Sequence, residues 1–284
     1  MTRDSRLAPC NARVHLKGTP SMEQSIAVDG RSALVGVPVV DLLETPDGPR
    51  ARQLVFGADV LHLETHKGWH FVQQLWDGYV GYVPETMMGQ ATLRFDTPAP
   101  THFVARPATH AYSKPDIKSQ QRAWLPLCSG IFVERSTDEF HQTADGFIPH
   151  NALRPLDATL KVPVDVAQMF LHVPYLWGGN SAQGIDCSGL VQMAYRACGI
   201  AIAGDSDLQR ADGRPIHGAY QRGDLIFWPG HVAMMMDDTR LIHATAASMS
   251  VIIEDLATVQ HRIKSRYDHD ILTARRISAD GAHL

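Results

Sequence analysis

Apolar and polar positions change rhythm twice along the chain. From about residue 33 the apolar residues come in short runs such as "VLHLE", "WHFVQQL" and "IFVERS", bounded by Gly, Pro and Asp. That punctuation predicts small barrels of short strands. A weak internal repeat divides the stretch. The segment from Leu42 to Glu64 is similar to that from Ala111 to Glu134, and "DGYVGYVPE" from Asp77 is echoed by "DGFIPH" from Asp145. Pro46 to Pro115 is 69 residues and Asp77 to Asp145 is 68, so two landmarks keep nearly one period. Two β-barrels are expected, over residues 33–97 and 98–157, the second lacking several glycines of the first. Residues 1–32 show no strand alternation and are expected to form an arm packed on the rest, with a helical turn or two at "MEQSIAV".

The rhythm changes again after "RPLDATLKVP", which reads as a linker. "PVDVAQMFLHV" has helical spacing, with Val166, Phe170 and Leu171 on one face and Asp165 near the start. Next comes "GIDCSGLVQMAYRACG", where Asp186 suits an N-cap and Gly199 the position after the last turn. Leu190, Val191, Ala194 and Cys198 form the buried stripe between them. "DLIFW", "HVAMMMD", "RLIHATA", "SVIIEDL" and "ILTARRI" then read as strands. Helices first and antiparallel strands after predict an α+β domain over residues 158–284.

The totals narrow the function. The 284 residues are 44% hydrophobic and 20% charged, as in an ordinary globular chain of two or three domains. A net charge of −4 is no electrostatic footprint for nucleic acid, and no basic run suggests a membrane surface. No apolar run approaches the roughly 20 residues that span a bilayer. The N-terminus lacks the apolar core of a secretory signal, so a cytoplasmic location is expected. The four cysteines (Cys10, Cys128, Cys187, Cys198) are scattered without a CxxC pair, and reduced thiols are expected.

Cys187 falls at the first helical position, where free backbone N–H groups and the positive dipole end favour a thiolate and can hold an oxyanion. A small residue tolerated at a cap would look the same. A nucleophile needs a base, and the base an orienter. His231 opens an apolar strand and His243 lies inside the next, 44 and 56 residues after the cysteine. Either alone reads as a satisfied core histidine; together they read as base and orienter. Strand alternation adds a condition. Both numbers are odd, so the two side chains share a face only if the hairpin between them has an odd-length loop, such as Asp237 to Thr239, or a bulge.

"VPYLWGGNSAQGIDCSGLVQMAYRACGI", "GDLIFWPGHVAMMMDD" and "LIHATA" together resemble the NlpC family of papain-like cysteine peptidases, over about residues 163–276. With two Src-homology-3-like barrels in front, the chain resembles the subgroup of γ-D-glutamyl-L-diamino acid endopeptidases. The resemblance implies Cys187 as nucleophile, His231 as base and His243 as orienter, with no cofactor and no metal. It implies peptidoglycan stem peptides as substrate, cut between D-glutamate and the diamino acid (diaminopimelate or lysine), and a place in cell-wall recycling. The subgroup binds a free L-alanine amine with the first barrel closing the cleft. That carries over to Asp186, Ser188, Asp205 and Ser206, and to Glu44 and Tyr79 of the first barrel. Ala58 stands where such barrels often carry glutamate. Three rivals remain: a wall-peptide binding module with an inactive peptidase domain, an amidase or acyltransferase using the same Cys–His chemistry, and a Cys/His metal site. The last lacks any close ligand pair.

Overall fold

In the computed structural model, which describes residues 4–278, the chain divides into units Met1–Leu156 and Asp157–Leu284. Residues 1–3 of the expected arm and 279–284 of the expected C-terminal domain lie outside the described residues. In the first unit, seven antiparallel strands between Arg31 and Arg94 form one sheet. Every second residue turns inward, and the sheet wraps around Val35, Leu42, Leu54, Val60, Val72 and Val83. Ala58 is fully buried in that core. A three-stranded and a five-stranded sheet follow between His102 and Pro155, around Val104, Leu125, Ile131 and Ile148.

The repeat has a structural counterpart. Hairpin Val39–Leu43/Arg50–Val55 carries a bulge between Leu42 and Leu43, and hairpin Ala108–Tyr112/Gln121–Pro126 carries one between Ala111 and Tyr112, 69 residues on. The residue after each bulge pairs with the strand that follows the Asp-Gly turn: Leu43 with Tyr82, Tyr112 with Phe147. The two halves meet where Gly57 and Gly130 lie backbone to backbone, with Gly130 N–H donating to Phe56 O at 2.9 Å. Arg94 and Asp145 add an ion pair at 2.8 Å.

The arm corrects one expectation. Ile26–Val28 is not helical but pairs in parallel with Val14–Leu16. Too short and too β-branched to nucleate a helix, the segment satisfies its backbone on a neighbouring strand instead. Val14 packs on Leu63, Phe71 and Val80, and Arg13 binds Glu64 at 2.7 Å, which holds the arm to the first sheet.

The second unit begins with α1 (Pro163–Gln168), shorter than its apolar spacing suggests. Phe170 is fully buried, but Leu171 is 36% exposed because the chain turns at His172 with φ 70°. Helix α2 (Cys187–Ala197) runs as expected and is closed by Gly199 at φ 74°. A one-turn helix α3 (Ser206–Gln209) follows. The sheet comprises β1 (Arg214–Pro215), β2 (Leu225–Trp228), β3 (His231–Met235), β4 (Arg240–Thr245), β5 (Ser250–Asp255) and β6 (Thr273–Arg276), in the antiparallel order β1-β6-β2-β3-β4-β5. Between β5 and β6 stands helix α4 (Leu256–Tyr267), which the apolar pattern did not announce, since Val259 is its one buried residue. Among the described residues no helix is long and apolar enough to cross a membrane.

Helix α2 lies against β3 and β4, and its start is pinned by contact distance. A Cβ on Gly189 would stand 2.4 Å from Gly179 O and 2.5 Å from Asn180 Oδ1. Gly189→Ala should therefore destabilise the fold by about 1–3 kcal/mol, against the ~1 kcal/mol gain such a change brings in an open helix. A urea midpoint equal to or above wild type would contradict this close approach.

Candidate active site

The Asp186 carboxylate organises the loop ahead of α2. Its Oδ1 accepts from Gly189 N–H at 2.7 Å and from Ser188 Oγ at 3.1 Å, and its Oδ2 accepts from Gly178 N–H at 2.7 Å. One buried side chain thus caps the helix and ties the glycine loop to it. Cys187, at the first helical position, is 7% exposed. The backbone N–H groups of Val232, Ser188 and Cys187 face its sulfur, which places the thiol at the His231 end of β3.

These donors do not depress the thiol, contrary to the expectation from helix position alone. Burial, with the Asp186 charge adding to it, pushes Cys187 up to about 12, and the three N–H groups only offset part of that. That balance favours the protonated thiol over a resting thiolate.

Strands β3 and β4 meet the parity condition. Met234 pairs with Ile242 and Met235 with Leu241, leaving Asp237–Thr239 as a three-residue loop. The Asp237 carboxylate shapes it by accepting from Thr239 N–H at 3.0 Å and Arg240 N–H at 2.7 Å. His231 and His243 therefore share a face, and His231 Nε2 lies 2.9 Å from His243 Nδ1.

The line continues through residues that were not anticipated. His243 Nε2 lies 3.0 Å from Glu254 Oε2, and Arg262 donates through both terminal nitrogens to the two Glu254 oxygens at 2.6 Å each. Arg262 first, then His243, holds the Glu254 carboxyl down at about 2, so it is an anion. An anion only accepts, so His243 turns Nε2–H towards it. Burial keeps His243 neutral, which leaves its Nδ1 an acceptor. His231 must then donate from Nε2, and its free lone pair is on Nδ1. Burial, then His243 and Arg262, push His231 down to about 3, so it too is neutral at rest.

Glu254 had a signal in the sequence: β4 and β5 pair His243 with Ile252, and Glu254, two residues on, shares their face. Arg262 had none, since it lies on the unanticipated α4. Tyr175 also borders the site. Burial, with Cys187 and Asp186 close by, raises its phenol well above the ordinary value, so it stays an O–H donor.

The remaining expected residues are spread over both units. Asp205 and Ser206 are half-buried at the start of α3, and Ser188 is buried in the first turn of α2. Gln209, fully buried, donates from Nε2 to Ser188 O and Ala203 O at 3.0 Å each, tying the end of α3 to the start of α2. In the first unit, Glu44 is exposed in the turn after Val39–Leu43, with its N–H donating to Pro49 O at 3.1 Å. Tyr79 is 4% exposed in the core of the first sheet, with the Arg52 guanidinium 4.9 Å from its ring centroid.

Both units are similar to known proteins. Residues 172–268 match the NlpC/P60 family, and residues 42–87 match the bacterial dipeptidyl-peptidase SH3 domain. Dipeptidyl-peptidase 6 of Lysinibacillus sphaericus is 39% identical over 114 residues, which is 39% of this chain and 40% of the relative. A γ-D-glutamyl-L-lysine dipeptidyl-peptidase of Bacillus cereus is 29% identical over 219 residues, 64% of this chain and 61% of the relative. The chain thus spans less than two thirds of the length of these relatives. A crystal structure of an NlpC/P60 family protein from Bacillus cereus superposes with a TM-score of 0.72 at 23% identity, over 86% of this chain and 99% of that one. The C-terminal domain of this chain is accordingly an NlpC/P60 domain of papain-like fold, preceded by a bacterial SH3-like domain.

Proposed function

We propose that this chain is a cysteine peptidase that hydrolyses the γ-D-glutamyl–diamino acid bond of peptidoglycan stem peptides with a free N-terminal L-alanine, in the recycling of wall fragments. The observation that carries it is the line from Arg262 through Glu254 and His243 to His231, ending beside a thiol at a helix start. The relative named as a γ-D-glutamyl-L-lysine dipeptidyl-peptidase supports the choice of bond.

Cys187 is the nucleophile. Its proton passes to His231 Nδ1 as the sulfur attacks the γ-carbonyl carbon. His231 Nε2–H keeps its bond to His243, whose orientation Glu254 and Arg262 hold. The backbone N–H groups at the start of α2 take the oxyanion, with the Tyr175 hydroxyl close by. Collapse breaks the C–N bond, and His231 returns the proton to the leaving amine. Water, deprotonated by the same ring, then hydrolyses the thioester.

The acyl side of the substrate ends in the alanine ammonium. Asp205 and Ser206, held near α2 by Gln209, together with Asp186 and Ser188, supply the carboxylates and hydroxyls a buried ammonium requires. An N-acylated or sugar-linked peptide would leave those acids unmatched, at a cost of roughly 2–5 kcal/mol. An enzyme with that preference acts on released fragments and spares the intact wall.

The assay uses purified protein and L-Ala-γ-D-Glu-diaminopimelate. Cys187→Ala should abolish turnover with its unfolding midpoint close to wild type; residual turnover near wild type would remove Cys187 from the mechanism. The N-acetylated peptide should be cut at least about thirtyfold more slowly than the free one, and comparable rates would refute the ammonium site.

The base must be neutral to act. A histidine at its ordinary value would lose about thirtyfold in rate between neutral pH and pH 5. Because His231 is lowered, its base form persists and activity is lost only as pH falls through the lowered value. We expect kcat/KM at pH 5 within about threefold of that at pH 7. Long-range ¹H–¹⁵N spectra should show His231 as the neutral Nε2–H tautomer over that range, and His243 as the neutral Nε2–H tautomer at pH 7. A His231 ring titrating near its ordinary value would overturn the lowered base, and a neutral His231 protonated on Nδ1 would overturn the tautomer assignment.

A further inference from the structure

The leaving residue has a site of its own. The nitrogen that departs must come within hydrogen-bond reach of His231 to receive its proton, so whatever that residue carries occupies the space beside the His231 ring. That space is a cavity of about 310 Å³ within the C-terminal domain, bordered by the Trp228–His231 turn on one side and by α4 on the other. It is large enough for a diamino acid side chain.

The α4 wall is one helix face. Val259, Arg262, Ile263 and Arg266 recur at spacings of three and four, so all four line the cavity. The two arginines differ in what they hold. Arg262 spends both terminal nitrogens on Glu254. Arg266 lies over the neighbouring Tyr267, 5.3 Å from the ring centroid, and has no carboxylate partner among the described residues. The acids nearest in sequence, Asp268 and Asp270, are bound to Lys264 at 2.9 and 2.7 Å. Tyr267 stacks on His269, centroids 6.0 Å apart, and both line the same cavity.

We propose that this cavity is the subsite for the leaving diamino acid and that Arg266, flanked by Tyr267 and His269, recognises a carboxylate on it. The inference rests on the reading given above. Diaminopimelate brings two carboxylates, lysine one, and lysinamide none, whereas the lone ammonium of a lysine side chain meets a wall of like charge. The chain is therefore selective for diaminopimelate, a preference that the name of its lysine-cleaving relative does not suggest.

The test compares wild type with Arg266→Gln on L-Ala-γ-D-Glu peptides ending in meso-diaminopimelate, in meso-diaminopimelate with its α-carboxylate amidated, in lysine, and in lysinamide. In wild type, KM should rise as carboxylates are removed, and the amidated arm tells whether the side-chain or the α-carboxylate is read. Arg266→Gln should raise KM about tenfold or more for diaminopimelate, as expected for one lost charge-assisted hydrogen bond, with kcat unchanged and KM for lysinamide within about twofold. A wild type without that ranking, or a variant that keeps it, overturns the proposal.

Binding read without turnover separates this failure from that of the parent reading. In Cys187→Ala protein, free meso-diaminopimelate should shift the Tyr267 and His269 ring resonances, and lysinamide should not. Arg266→Gln added to that protein should abolish the shift. If no peptide is cleaved but this pattern holds, the proposed reaction falls and the subsite stands. If peptides are cleaved and the pattern is absent, the subsite falls alone.

Discussion

The bidentate pair between Arg262 and Glu254 decides what the two histidines can do. A carboxylate beside His243 would, on its own, draw a proton onto that ring. An imidazolium at His243 would donate from Nδ1 to His231 Nε2, and His231 would then carry its proton on Nδ1. The face turned to the cysteine would be a donor, and no base would remain. Burial of the His243 ring opposes this first, and Arg262 adds to it by taking both carboxylate oxygens and by placing a positive charge close to His243. Glu254 stays an anion, His243 stays neutral, and the lone pair of His231 is left on the side where it is useful. The pair is only partly buried, with side-chain exposures of 32% and 16%, so its desolvation is limited while its geometry remains bidentate.

The start of α2 shows a second balance. A carboxylate is needed at position 186 to cap the helix and to anchor the glycine loop, but its charge, together with burial, opposes a thiolate at position 187. The helix dipole does not win that contest. The donors at the helix start are therefore poised for negative charge that arises during reaction, on sulfur and then on oxygen, and not for charge stored at rest. In the proposed reaction, a protonated thiol next to a neutral imidazole moves its proton only when the sulfur attacks, and the resting site holds no reactive thiolate.

Much of this was legible in the sequence because it follows from period. The capped α2, the strands β2 to β5 and the short strands of the first unit are set by helical spacing, by apolar alternation or by short continuous apolar runs. An odd hairpin loop or a bulge followed from the parity of His231 and His243 once both were required to share a face, and the structure has the odd loop. Glu254 was within reach of the same argument, because a strand following His243 had to place one of its two faces opposite it. The misses have a common cause. Ile26–Val28 and the last residues of "PVDVAQMFLHV" were too short for local propensity to decide, and neighbouring backbone decided instead. Tyr175 and Gln209 act from a loop and a single turn, where no period exists to read.

Helix α4 is the instructive failure. An amphipathic helix is recognised by the apolar stripe it turns inward. Here the cavity-lining positions after Val259 include the half-buried Arg262 and the exposed Arg266, so the stripe is half charge. The helix is held by Leu256, Val259 and Ile263 against the sheet core and by the Arg262–Glu254 pair, and it ends where Asp268 turns at φ 55°. Its hydrophobic signal is weak because its inner face meets a site and not a core. A one-residue shift of this helix would rotate every inward position by about 100°, taking Arg262 off Glu254 and Arg266 out of the cavity wall in one step. The tautomer of the base and the charge of the cavity beside it are thus set by one register, that of α4 on β5.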